Sequence, residues 1–203
     1  MEHKIIISIG RQMGCGGRAV AAELGKILGI PVYDGALLEE AAKKTGYSPE
    51  IFHKRDEKRH LFSWSRLFSS TESNTPNYLA DGALFQMQSE AIKDIAAKGS
   101  CVIVGRCADY VLRDEPGLLS VFLTSPLEKR IASVMERKDV DEQTAEKIIR
   151  TKERNRERYY NGYTLGKWGD ASTYDLCLDI TRLGVEGTAQ FIVDFAKKLG
   201  LLG

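Results

Sequence analysis

A run of mostly β-branched apolar residues, Ile5 to Ile9, breaks off into glycines: Gly10, Gly14, Gly16 and Gly17 fall within eight positions. Directly afterwards Val20, Leu24, Ile27 and Leu28 recur at the three- and four-residue spacing of an amphipathic helix. A buried strand, a glycine loop and a helix in that order form the layout of a phosphate-binding loop. Glycine removes the side chains that would hold an anion away from backbone N–H groups. The unpaired N–H groups of the following helix, with its dipole, then face the anion.

Set against the pattern G-x-x-x-x-G-K-[ST], Gly16 takes the place of the final glycine. Gly17 then stands at the lysine position, and Arg18-Ala19 brings no hydroxyl. Gly10 falls one residue ahead of the front glycine. The loop holds two arginines, Arg11 and Arg18, and no lysine. A guanidinium can meet phosphate through a two-pronged fork where lysine offers a point charge. A glycine-rich turn that binds nothing is the competing reading.

The rest of the chain is expected to form one domain, since 203 residues suffice for a single sizeable core. A formal net charge of +1 speaks against a dedicated nucleic-acid protein. Cys15, Cys101, Cys107 and Cys177 are scattered, and His3, His53 and His60 show no ligand spacing. The expectation is free thiols in a reducing cytoplasm and no protein-built metal site. The opening MEHKIIIS is too polar for a signal peptide, and no apolar stretch reaches membrane-spanning length, so no membrane partner is expected.

Residues 30–33 read as a second strand, followed by a helix over about 36–44. Asp34 between them either caps that helix or faces a ligand at the strand's end. Residues 46–76 lack core periodicity and read as an insertion, a candidate substrate flap. A long helix over 78–98 leads to Cys101–Val104, an uninterrupted apolar run expected of a central parallel strand. That run ends at Gly105-Arg106, where an arginine is placed to bind phosphate or to form a surface ion pair. Asp109, one turn on, could orient Arg106 or sit in solvent.

Leu118–Leu123 is a further strand, and helices follow to about Lys138 and over 141–160. The second helix holds the most basic stretch of the chain. Arg150, Arg154 and Arg158 share one face, Lys152 and Arg156 another. This is either a solvated helix tied by pairs such as Glu146–Arg150, or a lid whose arginines close over a polyphosphate. A last strand at 175–180 and a final amphipathic helix complete the chain. Alternating β and α segments with buried strands predict an α/β fold, a doubly wound parallel sheet of about five strands flanked by helices.

Three segments carry a resemblance to a known family: SIGRQMGCGGRAVAAELGKILGIPVYD at 8–34, VIVGRCADYVL at 102–112 and KERNRERYYNGY at 152–163. Together they resemble the cytidylate kinase-like family, a branch of the P-loop nucleoside monophosphate kinases. The resemblance implies that Gly10, Arg11, Gly14, Cys15, Gly16, Gly17, Arg18 and Ala19 cradle a donor nucleotide, with Arg18 near the usual lysine site. It implies acceptor contacts from Asp34, Arg106 and Asp109. Arg154 and Arg158 would be lid arginines, catalytic together with Arg18 and Arg106. Residues 46–98 would form the acceptor flap, and about 141–170 the lid. ATP and Mg2+ would be the cofactors and nucleotides the partners, with no residue assigned to the metal. Ordinary members carry lysine and Ser/Thr in the loop and an aspartate before the second glycine–arginine pair. Here those places hold Gly17, Ala19 and Val104. A catalytically weak nucleotide sensor on the same fold is the alternative. The sequence leaves the oligomeric state open.

Overall fold

The computed structural model describes residues 4–38 and 78–203. The elements in order are β1 (Ile6–Arg11), α1 (Gly17–Leu28), β2 (Val32–Tyr33), a helical turn at 35–38, α2 (Tyr78–Lys98), β3 (Cys101–Val104), α3 (Ala108–Val111), β4 (Leu118–Thr124), α4 (Leu127–Lys138), α5 (Glu142–Tyr163), β5 (Leu176–Asp179) and α6 (Gly184–Lys198). The strands form one parallel sheet in the order β2-β3-β1-β4-β5. The expected doubly wound α/β sheet is therefore present. The expected flap at 46–76 lies outside the described residues.

Strand alternation builds two core layers. Ile5, Ile7, Ile9, Val102, Val104, Leu119, Val121 and Leu123 point to the face covered by α1 and α6. Ile6, Cys101 and Ile103 point to the opposite face, against Ile92 and Ile95 of α2 and Ala108 of α3. Both faces are covered, which is why β1, β3 and β4 read as continuous apolar runs.

Some boundaries differ from the sequence expectation. β2 is only Val32–Tyr33. Pro31 has no N–H to give the ladder, though its carbonyl accepts from Val102 N at 2.9 Å. The four-residue α3 is too short to show a period. α5 continues to Tyr163, and Asp141 caps its start by accepting from Thr144 N at 2.7 Å.

The connection leaving β1 enters α1 on one face of the sheet, and that leaving the neighbouring β3 enters α3 on the other. Adjacent strands whose chains depart to opposite faces leave a crevice at their carboxyl ends, where open α/β sheets bind ligands. The glycine loop and the Gly105-Arg106 turn form its two lips.

Candidate phosphate-binding site

The loop is anchored where it leaves β1. Gln12 N donates to Leu123 O at 3.0 Å, extending the β1–β4 ladder. Met13 N donates to Glu153 Oε1 of α5 at 3.0 Å. Beyond this point the backbone turns through left-handed conformations at Gly14 (φ +90°) and Gly16 (φ +88°). Gly16 is the N-cap of α1 and has no side chain to satisfy the first turn. Among the described residues, the amides of Gly14, Cys15, Gly16 and Arg18 meet no acceptor, and that of Gly17 faces the Cys15 sulfur. Successive N–H groups curled in this way make an anion-binding concavity.

Four arginines surround it. Arg11 ends β1, Arg18 lies on the first turn of α1, Arg106 follows β3 and Arg156 comes from α5. Arg156 Nη1 donates to Arg11 O at 2.9 Å, with its Nη2 3.8 Å from Met13 Sδ. Burial first, then the charges of Arg156, Arg18 and Arg106, pushes the Arg11 guanidinium down to about 9. Arg156 is likewise pushed down, mainly by burial and further by Arg18 and Arg106, against the pull of Cys15 and Glu153. Among the described residues no carboxylate pairs with Arg11. Unbalanced positive charge held out of water is what a bound polyanion would relieve.

Arg106 and Cys107 both have positive φ, +59° and +56°, directly after Gly105. For residues with a β-carbon such backbone costs about 1–3 kcal/mol each and persists where surrounding structure enforces it. The turn sends the Arg106 guanidinium across to β2: its Nη2 lies 3.4 Å from where a Gly35 side chain would begin. Asp34 is therefore close by. It accepts from Ala36 N at 3.1 Å and Leu37 N at 3.3 Å, and lies 3.8 Å from Arg18 Nη2. Asp34 thus caps a helix and also faces the arginine group.

α5 grips the loop with one turn of its length. Glu153 accepts from Met13 N and pairs with Arg130 Nη1 at 2.6 Å, while Arg156 reaches Arg11. Arg154 and Arg158 are exposed on the same helix. The Glu146–Arg150 surface pair also forms, at 2.5 Å. The structure thus brings Arg11, Arg18, Arg106 and Asp34 to the loop, adds Arg156, and leaves Arg154 and Arg158 in solvent. Sequence reasoning grouped Arg156 with Lys152 on a second face. The available signal was its three-residue spacing from Glu153, a residue with no evident role until Arg130 is placed.

Asp109 does not sit in solvent. It accepts the Tyr160 hydroxyl and so fastens α5 to the turn after β3. Burial raises its pKa despite that bond. The folded chain then holds this proton where the unfolded chain has lost it, so stability falls as pH rises from about 4 through the raised value. Exposed caps such as Asp141, Asp170 and Asp179 have lowered pKa values and act in the opposite sense. The expected result is therefore a difference: in urea melts between pH 4 and 7, Asp109→Asn gains stability over wild type as pH rises. Parallel pH profiles would refute the assignment.

A groove of about 630 Å3 lined by Asp109, Tyr160, Lys167, Asp170 and Asp175 includes none of the loop residues. It is wide and mixed in charge, whereas the loop is where the chemistry converges. Among the described residues no group of three or more His, Cys, Asp or Glu could hold a metal. No described helix is long and apolar enough to cross a membrane.

Comparison with known proteins bears on this arrangement. The cytidylate kinase of Pyrobaculum islandicum is 26% identical over 193 residues, covering 94% of this chain and 92% of that protein. A crystal structure of an uncharacterized protein from Eubacterium ventriosum superposes with a TM-score of 0.74 at 32% identity, over 96% of this chain and 99% of that one. Shikimate kinase from Acinetobacter baumannii, at 16% identity and a TM-score of 0.53 over 97% of this chain and 94% of its own, shares the fold. The model of the cytidylate kinase-like family matches residues 6–182, from β1 through the loop, the Gly105-Arg106 turn and α5 to the end of β5. On that match the chain belongs to the cytidylate kinase-like family.

Proposed function

We propose that this protein transfers the terminal phosphoryl group of ATP to a nucleoside monophosphate or a related small acceptor. The observation that carries the reading is the convergence of four arginines on a loop whose amides, among the described residues, are largely unpaired, with no carboxylate among those residues pairing Arg11. ATP, when bound, supplies the phosphoryl group. The amides of Gly14 to Arg18 hold its phosphate chain. Arg106, with Asp34 beside it, holds the acceptor with its nucleophilic oxygen towards the γ-phosphorus. Arg156, brought by α5, offsets negative charge that grows on the phosphoryl oxygens as the new P–O bond forms and the bond to the ADP oxygen breaks. Positioning and charge stabilisation suffice for such a transfer, without a covalent enzyme intermediate. Residues 46–98 serve as acceptor flap and 141–170 as lid.

The described residues offer magnesium neither a carboxylate cluster nor a loop hydroxyl. The glycine at the lysine position is the observation that favours a second reading, a nucleotide sensor without turnover. One experiment separates them. With Mg-ATP and a panel of nucleoside monophosphates, CMP included, acceptor-dependent release of ADP is expected. Arg106→Met should raise the acceptor KM by about tenfold or more with a smaller change for ATP, the loss expected for a charge-assisted phosphate contact. A melting temperature that rises with ATP while no acceptor yields ADP would replace the kinase by the sensor.

A further inference from the structure

We propose that Arg11 stands in for the lysine absent at position 17, its side chain running through the space a residue-17 side chain would enter. The proposal deepens the phosphotransfer reading and rests on it. In the G-x-x-x-x-G-K pattern, with Gly16 as the final glycine, the front glycine falls on Arg11 and the lysine on Gly17. Glycine and cation have changed places within one loop.

The geometry shows why the exchange is coupled. A β-carbon added at Gly17 would lie 2.9 Å from Arg11 Cβ and 3.1 Å from its Cγ. The stem of Arg11 therefore occupies the exit that a lysine at 17 would need, and the two cannot coexist as the loop stands. Past Gly17 the guanidinium continues to the second lip of the crevice. Its Nη1 lies 2.0 Å from where a Gly105 β-carbon would be, and its Cζ 3.1 Å. A side chain at 105 would displace that head, and the φ of +79° at Gly105 itself favours glycine there. Arg11, Gly17 and Gly105 thus form one compensating set, and the cation ends between the donor loop and the acceptor arginine.

Arg18 is the other cation of the loop, but its side chain is 72% exposed and lies 3.8 Å from Asp34. Arg11 is held in place by Arg156, which donates to its carbonyl, and has no carboxylate partner among the described residues. A cation so placed gains most from a multiply charged anion; the chemistry that fits is a polyphosphate chain.

The test is binding, measured by calorimetry with ATP and with inorganic tripolyphosphate at fixed ionic strength. Arg11→Met keeps the stem and removes the charge. It is expected to lose about tenfold or more in affinity for both probes, and more than Arg18→Met loses. Its melting temperature without ligand should not fall, since a crowded cation has been removed. Gly17→Lys alone should weaken binding, because the stems collide. The double variant Arg11→Gly/Gly17→Lys rebuilds the ordinary arrangement and should bind both probes more tightly than Arg11→Gly alone. The exchange is overturned if Arg11→Met binds as wild type does, or if the double variant binds no better than Arg11→Gly. A wild-type chain that binds neither probe would instead remove the phosphotransfer reading, and this proposal with it.

Discussion

Arg156→Met is expected to slow phosphoryl transfer by about 10^3-fold, the scale seen when an arginine that meets transition-state charge is removed. Arg154→Met and Arg158→Met should slow it far less. All three sit within five residues of one helix, so composition and net charge change equally in each variant. Only placement differs. Arg156 is partly buried and reaches the loop, donating to Arg11 O at 2.9 Å, while Arg154 and Arg158 are exposed. The loss should appear in kcat with saturating ATP and acceptor, because the proposed role of Arg156 is to meet the developing charge and not the ground state. Equal losses at Arg154 would mean that α5 presents a different face when nucleotide is bound, and would return the role to the arginines that the family resemblance implies.

Removing the carboxylate of Glu153 should have the largest effect on stability. Arg130 and Glu153 have side chains 8% and 20% exposed, and their atoms approach to 2.6 Å. The same oxygen, Glu153 Oε1, also accepts from Met13 N. Glu153→Ala leaves a buried guanidinium without its counter-charge and a loop amide without its acceptor. Breaking one side of a buried pair costs about 3–5 kcal/mol, and the partial exposure of Glu153 places this case near about 3 kcal/mol. For a chain of this size that corresponds to a melting point lower by roughly 6–12 °C. Glu153→Gln keeps an acceptor for Met13 and should fall between. Replacing both partners, as Arg130→Met/Glu153→Leu, should recover much of the loss, since no charge is then stranded. Thermal and urea melts decide it: a loss in Glu153→Ala below about 0.5 kcal/mol, the size of an exposed pair, would show that the brace is not a buried one.

These two residues mark where reading the chain from its sequence stops. Helix α5 carries basic side chains on more than one face; spacing groups Arg150, Arg154 and Arg158 on one of them, and the family resemblance points to Arg154 and Arg158. Which face meets the loop depends on Arg130 of α4 and on the loop backbone, far away in the chain. Asp109 shows the same limit. Its place one turn after Arg106 suggests a partner there, but the hydroxyl it holds belongs to Tyr160.

By itself the sequence determined the α/β class, the place of the loop and the bounds of β3, while β1 runs two residues past the expected Ile9, to Arg11. Those features follow from local rules: apolar residues in unbroken runs need cover on both faces, and glycines allow the turns at 14 and 16. Only the tertiary structure decided which cations reach the loop. Arg11 passes Gly17 to reach Gly105, and Arg156 leaves α5 to join it. A backbone's periodicity is set by its neighbours in the chain, whereas the destination of a long charged side chain is set by whatever distant segments leave it room and an acceptor.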